Sequence, residues 1–114
     1  MNEFAGKTYA EALSTVCARY ANRKALIFKG KLYCFTDVKR EIDNASRRLA
    51  LLGLRRGDKI SIWMPNCPDF IFIWMGAAQI GLVAVLMNTR LRLEEALYQI
   101  QQSDSRAVVV PGAA

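Results

Sequence analysis

The sequence predicts an α/β fold: part of a doubly wound sheet with helices on both faces, preceded by an N-terminal helix and a β-hairpin. Three observations carry that expectation. From Thr36 onward, helix and strand signals alternate as α-β-α-β-α-β, the order that parallel sheets with crossover helices produce. The strand-like runs at residues 82–87 and 107–110 are apolar almost throughout, as strands covered on both faces are. Finally, 114 residues that are 53% hydrophobic and 23% charged suit one folded domain with a core.

The elements follow in order. Thr8 is placed to cap a helix over residues 9–20, with Glu11 completing a capping box and Ala12, Leu13, Val16, Cys17 and Tyr20 at helical spacing. Residues 25–28 and 32–35 flank Lys29-Gly30-Lys31, a hairpin signal. Thr36 is the expected cap of the next helix, with Lys39 at its third position. Its buried stripe should be Val38, Ile42, Ala45, Leu49 and Leu52, and Gly53 its left-handed stop. Residues 59–64 read as a strand closed by Pro65, and residues 69–80 as an apolar helix. Residues 82–87 form a short buried strand. Leu93, Ala96, Leu97 and Ile100 mark an amphipathic helix that Ser103-Asp104-Ser105 breaks, before the last strand at residues 107–110.

Sixteen Lys and Arg against ten Asp and Glu give a net charge of +6, with no histidine. The basic residues are scattered along the sequence, which favours a solvated surface over a nucleic-acid patch. Cys17, Cys34 and Cys67 are far apart, form no CxxC pair and have no histidine to complete a metal site. They read as reduced thiols of a cytoplasmic protein, and no metal-ligating residue is assigned. Residues 70–87 make an apolar run long enough to suggest a membrane span. Gly76 and Gly81 interrupt it, and it divides into a helix and a strand, so no transmembrane segment is expected. Residues 1–12 lack the apolar stretch of a secretory signal.

Several short motifs then fall in a familiar sequence. Leu32-Tyr33-Cys34-Phe35-Thr36 is similar to an L-x-Y/F-T strand, and Leu52-Gly53-Leu54-Arg55-Arg56-Gly57-Asp58-Lys59-Ile60 to L-G-V-x-x-G-D-x-V. Met64-Pro65-Asn66-Cys67-Pro68-Asp69-Phe70 looks like L-P-N-S-x-E-F. Ala78-Gln79-Ile80-Gly81-Leu82-Val83 is similar to x-K-A-G-A-V, and Ser103-Asp104-Ser105-Arg106-Ala107 to D-S-x-A/P-K. Each alone is turn chemistry that any α/β protein uses. In this order and spacing they resemble the start of the adenylate-forming superfamily of acyl-CoA synthetases, luciferases and peptide-synthetase adenylation domains. The style of Met64-Pro65-Asn66 and of the Asn88 loop is closest to fatty-acid or aryl acyl-CoA ligases. One departure stands out: Val85-Leu86-Met87-Asn88 replaces the family's V-P-L-N, so the backbone at Leu86 should continue as regular strand.

The resemblance implies that residues 1–114 are a single partial domain, the N-terminal segment of a larger AMP-binding domain. The parent would be an acid–thiol ligase that joins a carboxylate, most simply a fatty acid, to coenzyme A through an acyl-adenylate, using ATP and Mg. The family's Ser/Thr/Gly-rich phosphate loop, nucleotide contacts and late catalytic lysine come from further along such a chain. The seven glycines here are isolated and build no phosphate-cradling loop. No residue is therefore assigned a catalytic role, and the segment alone is expected to be inert, binding none of these cofactors tightly.

One ligand contact is expected: Arg90, in the loop after the fourth strand, as a partner for a coenzyme A phosphate. Phe70, Phe72, Trp74 and Trp63 are expected in the core rather than in an acyl pocket. A last strand with nothing beyond it should leave an open sheet edge and promote self-association. The competing readings are a stand-alone interaction or regulatory module of the same fold, and a basic nucleic-acid binder, which lacks the signatures of that class.

Overall fold

Residues 8–111 are described in this computed structural model. They form, in chain order, α1 (Tyr9–Arg19), β1 (Lys24–Phe28), β2 (Lys31–Cys34), α2 (Phe35–Leu51), β3 (Lys59–Ile62), α3 (Pro68–Gln79), β4 (Val83–Leu86), α4 (Leu93–Ser103) and β5 (Ala107–Val109). The hairpin loop is two residues long, shorter than the three expected. Lys29 and Gly30 both take positive φ, 50° and 81°, which matches the right-handed twist of the strands they join.

In the second sheet β3 lies between β4 and β5, and both pairings are parallel. Crossovers of the usual right hand, leading to opposite neighbours of β3, set α3 and α4 on opposite faces. The α/β fold with helices on both faces is therefore the one observed. Leu86 pairs in register with Ile62, so the strand does continue where the family carries proline. The apolar run at residues 70–87 divides into α3 and β4. Among the described residues no helix is long and apolar enough to cross a membrane.

One side of the sheet is packed far better than the other. On the α3 side Ile60 and Ile62 are fully buried and meet Leu49 of α2, Ala77 of α3, Met64 and Leu82. A second cluster of Val38, Ile42 and Phe72 joins α2 and α3 to Leu13, Leu26 and Tyr33 of α1 and the hairpin. The two helices touch at Gly76, where an added Cβ would lie 2.9 Å from Ala45 Cβ and 3.0 Å from the Ile42 carbonyl oxygen. Ser46 Oγ seals the contact by donating to the Gly76 carbonyl at 2.8 Å.

The α4 side is polar at its centre. Ser61, fully buried in β3, faces Ser105 at 2.6 Å, and Ser105 faces Ser103 at 2.7 Å. Ser103 donates its only hydroxyl proton to the Ile100 carbonyl. Ser105 must then donate to Ser103, and Ser61 to Ser105, which gives the chain a single direction. That chain ties β3 to the end of α4, where Asp104 turns left-handed at φ 59°.

Several expectations need correction, among them the covering of β4 and β5 on both faces, since Val83, Leu86 and Val108 are exposed. Cys34, not Thr36, caps α2. Asp37 Oδ2 accepts from the Cys34 backbone N–H at 3.0 Å and from its thiol at 3.2 Å, while Thr36 Oγ1 donates to the Ala21 carbonyl. The Cys34 backbone bond first, then the thiol and Arg40, hold the Asp37 carboxyl below its ordinary range. With the cap two residues earlier, Lys39 is not at the third position; it pairs with Asp43 instead. Leu52 falls past the last turn of α2 and is 70% exposed, because Gly53 (φ 83°) turns the chain away. Trp74 is 42% exposed: two residues beyond Phe72 is about 200° around a helix, so the two rings face opposite ways. In α4 only Ala96 of the expected stripe is buried, and Leu93 and Leu97 face outward. The cap at Thr8 does form, with Glu11 N–H donating to its hydroxyl at 3.2 Å.

Candidate functional site

Where neighbouring parallel strands send their chains to opposite faces, the loops part and leave a crevice at the carboxyl edge of the sheet. Here β3 leads to α3 and β4 leads to α4, and a crevice of about 430 Å³ opens between the two loops. Its walls are Pro65, Asn66 and Phe70 on one side and Leu86, Asn88 and Thr89 on the other, with the buried Met64 and Met87 between them.

Asn88 organises the β4 side. Its carbonyl accepts from the Trp63 indole N–H at 3.1 Å and from Leu91 N–H at 3.2 Å, and its side-chain Oδ1 accepts from Arg90 N–H at 2.9 Å. The Trp63 ring is half-buried, so it is a strap between the two loops rather than core filling. Sequence reasoning missed this bond. Its only signal was a tryptophan two residues before Pro65, whose N–H needs an acceptor once the ring is partly covered. Arg90 lies on the same turn as Asn88, exposed, beside the crevice rather than among its walls. No carboxylate among the described residues pairs with its guanidinium.

Other polar groups are taken up in holding the fold. Lys39 Nζ, Asp43 Oδ1 and Gln79 form a closed network between α2 and α3, with Gln79 Nε2 donating to Asp43 at 3.0 Å and to Ser46 Oγ at 3.0 Å. Burial raises the Asp43 carboxyl, but the bonds from Lys39 and Gln79 and the charges of Lys39 and Arg47 outweigh it, leaving the group below its ordinary value. Burial pushes the Cys17 thiol up, away from reactivity. All three cysteines are free, and no three His, Cys, Asp or Glu side chains gather among the described residues.

Gly6-Lys7-Thr8 spells the end of a phosphate-loop motif, G-x-x-x-x-G-K-[ST], but Met1 stands where its first glycine is required. Gly6 and Lys7 lie outside the described residues, and Thr8 is occupied as the cap of α1.

A three-layer arrangement with its crevice at the strand ends is shared by many nucleotide- and coenzyme-using proteins; sequence similarity narrows it to one family. The pattern of the family described as AMP-binding enzyme matches residues 13–114, and the chain belongs to that family. It is similar to the crotonobetaine/carnitine–CoA ligase of Salmonella typhi, 30% identical across 96% of this chain and 22% of that protein. Against the same ligase of Escherichia coli K12 it is 35% identical, across 79% and 18%. The chain thus spans about a fifth of the length of these curated relatives. Among solved structures it superposes on the N-terminal domain of FACL13 from Mycobacterium tuberculosis with a TM-score of 0.86 at 25% identity, covering 91% of this chain and 27% of that one. On the O-succinylbenzoate coenzyme A synthetase of Bacillus subtilis, in complex with AMP, the TM-score is 0.83 at 25% identity, covering 88% and 26%.

The family implies ATP and Mg, and the described residues do not fit them. No three His, Cys, Asp or Glu side chains gather among them to hold a metal, and their glycines are isolated rather than gathered into a triphosphate-cradling loop. The crevice edge offers Asn66, Asn88 and Thr89, with the exposed Arg90 beside it, as groups able to meet an anionic or polar ligand.

Proposed function

We propose that this chain is the N-terminal segment of an ATP-dependent acyl-CoA ligase, inert by itself, whose complete enzyme converts a fatty acid to its acyl-adenylate and then to the coenzyme A thioester. The family match across residues 13–114 carries the reading. Three of the proteins it resembles are named for ligation to coenzyme A and differ in the acid: crotonobetaine or carnitine, O-succinylbenzoate, and fatty acyl groups in a Mycobacterium tuberculosis synthetase that superposes with a TM-score of 0.87. Within this segment Arg90 is the residue assigned to coenzyme A, as a partner of one phosphate.

The test is ATP- and coenzyme A-dependent thioester formation by an enzyme carrying this segment within a full AMP-binding domain, assayed on fatty acids of several lengths beside crotonobetaine. Turnover of fatty acids is expected, with none from the 114 residues alone. Arg90→Ala should raise KM for coenzyme A about tenfold with kcat held, the loss of one charge-assisted contact. Activity on crotonobetaine alone would overturn the choice of acid, and an unchanged KM would overturn the role of Arg90.

The outer edge of β5 supports a second property, self-association. Among the described residues that strand pairs only with β3, and Val108 and Val110 stand exposed on an apolar groove of about 450 Å³ that includes Leu49, Phe72 and Ile73. Light scattering across a concentration series should show mass growing with concentration. A monomer at every concentration would remove this property.

A further inference from the structure

We propose that Trp63 is a positioning residue for coenzyme A: its indole N–H fixes the turn that carries Thr89 and Arg90 at the lip of the crevice. This role rests on the reading in which Arg90 meets a coenzyme A phosphate, and supplies the group that holds Arg90 in place. Phenylalanine would fill the half-buried place of Trp63 as well; the indole adds the donor.

The alternation of the central strand explains why this residue reaches the other loop. Along β3, Ile60 and Ile62 point to the α3 side and Ser61 to the α4 side, so Trp63 follows Ser61 to the α4 side. The loop after β4 leads to α4 and leaves on that same side. The backbone ladder between the two strands ends where Met87 N–H donates to the Ile62 carbonyl at 3.0 Å. One residue further along each chain, the indole N–H donates to the Asn88 carbonyl at 3.1 Å. Trp63 is itself anchored, because its backbone N–H donates to the Val109 carbonyl of β5 at 2.9 Å. The strap thus runs from a strand locked between two neighbours to a loop beyond the end of the ladder.

That loop is a turn built on Asn88. Its carbonyl accepts from Leu91 N–H at 3.2 Å and its side-chain Oδ1 from Arg90 N–H at 2.9 Å, with Thr89 and Arg90 exposed at the tip. A carbonyl oxygen has two lone pairs, and the indole takes the one that the turn leaves over. Losing the indole N–H therefore leaves the turn closed but unties it from β3. Thr89 and Arg90 would then shift as a unit relative to the crevice. A charge-assisted bond to a phosphate depends on that placement, so the cost falls on coenzyme A rather than on the fold.

The test uses an enzyme carrying this segment within a full AMP-binding domain, as Trp63→Phe, Arg90→Ala and the double variant. Trp63→Phe should raise KM for coenzyme A, and its Kd by calorimetry, about fivefold, with kcat and KM for ATP held. A loss of packing alone would instead lower the unfolding midpoint and move both substrates together. In the Arg90→Ala background the same change should add less than about twofold, because the residue it positions is gone. Arg90→Ala without effect on coenzyme A would overturn the reading of Arg90 and this role with it. A raised KM in Arg90→Ala beside an unchanged one in Trp63→Phe would overturn this role alone. So would losses that multiply in the double variant, or an equal rise in KM for ATP.

Discussion

Gly76→Val is expected to destabilise the protein by about 3 kcal/mol, the upper end for overpacking a core. A central helical glycine ordinarily costs about 1 kcal/mol relative to alanine, so on propensity alone the change should help. Contact geometry reverses the sign. The new Cβ would stand 2.9 Å from Ala45 Cβ and 3.0 Å from both the Ile42 carbonyl oxygen and the Ser46 amide nitrogen. Two of these three neighbours are backbone atoms of α2, which cannot swing aside as a side chain does. Relief would require α2 and α3 to separate, breaking the bond from Ser46 to the Gly76 carbonyl and loosening the Gln79 network beside it. Urea unfolding measures the effect. A valine variant as stable as the parent would mean that the helices slide apart freely.

Ile62→Ala is expected to cost about 4 kcal/mol. The residue is fully buried on the central strand, flanked by Leu86 of β4 and Val109 of β5, and lies in the main core cluster with Leu49, Met64 and Ala77. A sheet of three strands has no second central strand to carry the load. A domain of this size has a total stability of roughly 5–15 kcal/mol, so the variant should be partly unfolded at physiological temperature. Leu52→Ala is the informative comparison. The periodicity of α2 places Leu52 in the same buried stripe, yet it is 70% exposed, and its loss should change stability by less than about 0.5 kcal/mol. Equal effects at the two positions would contradict the observed packing.

That contrast shows what the residues disclose and what they do not. The order of elements, the turn at Gly30 and the left-handed Gly53 were legible because each follows from the few residues around it. The fate of Leu52, Trp74, Leu93 and Leu97 was not legible, because periodicity tells which residues share a face but not whether anything covers it. The cap of α2 was misplaced for a chemical reason: cysteine is a poor capping residue, and Asp37 bonding back to the Cys34 amide supplies most of the cap. At the crevice, the motifs containing Pro65 and Asn88 marked its two sides. The Trp63–Asn88 bond that joins them links loops 25 residues apart in sequence, beyond the reach of any local pattern.

The position of β3 between two later strands also sets an order of events. As the chain is made, β3 has neither neighbour; α3 must be laid down before β4 can arrive at one edge, and α4 before β5 can close the other. The middle strand is thus the first made and the last enclosed. Until β5 docks, one edge of β3 is open to any strand that passes, and the three residues of β5 have to win that place late. The Ser61–Ser105 bond, which joins residues 44 apart in sequence, forms only once the turn that leads into β5 has docked beside β3.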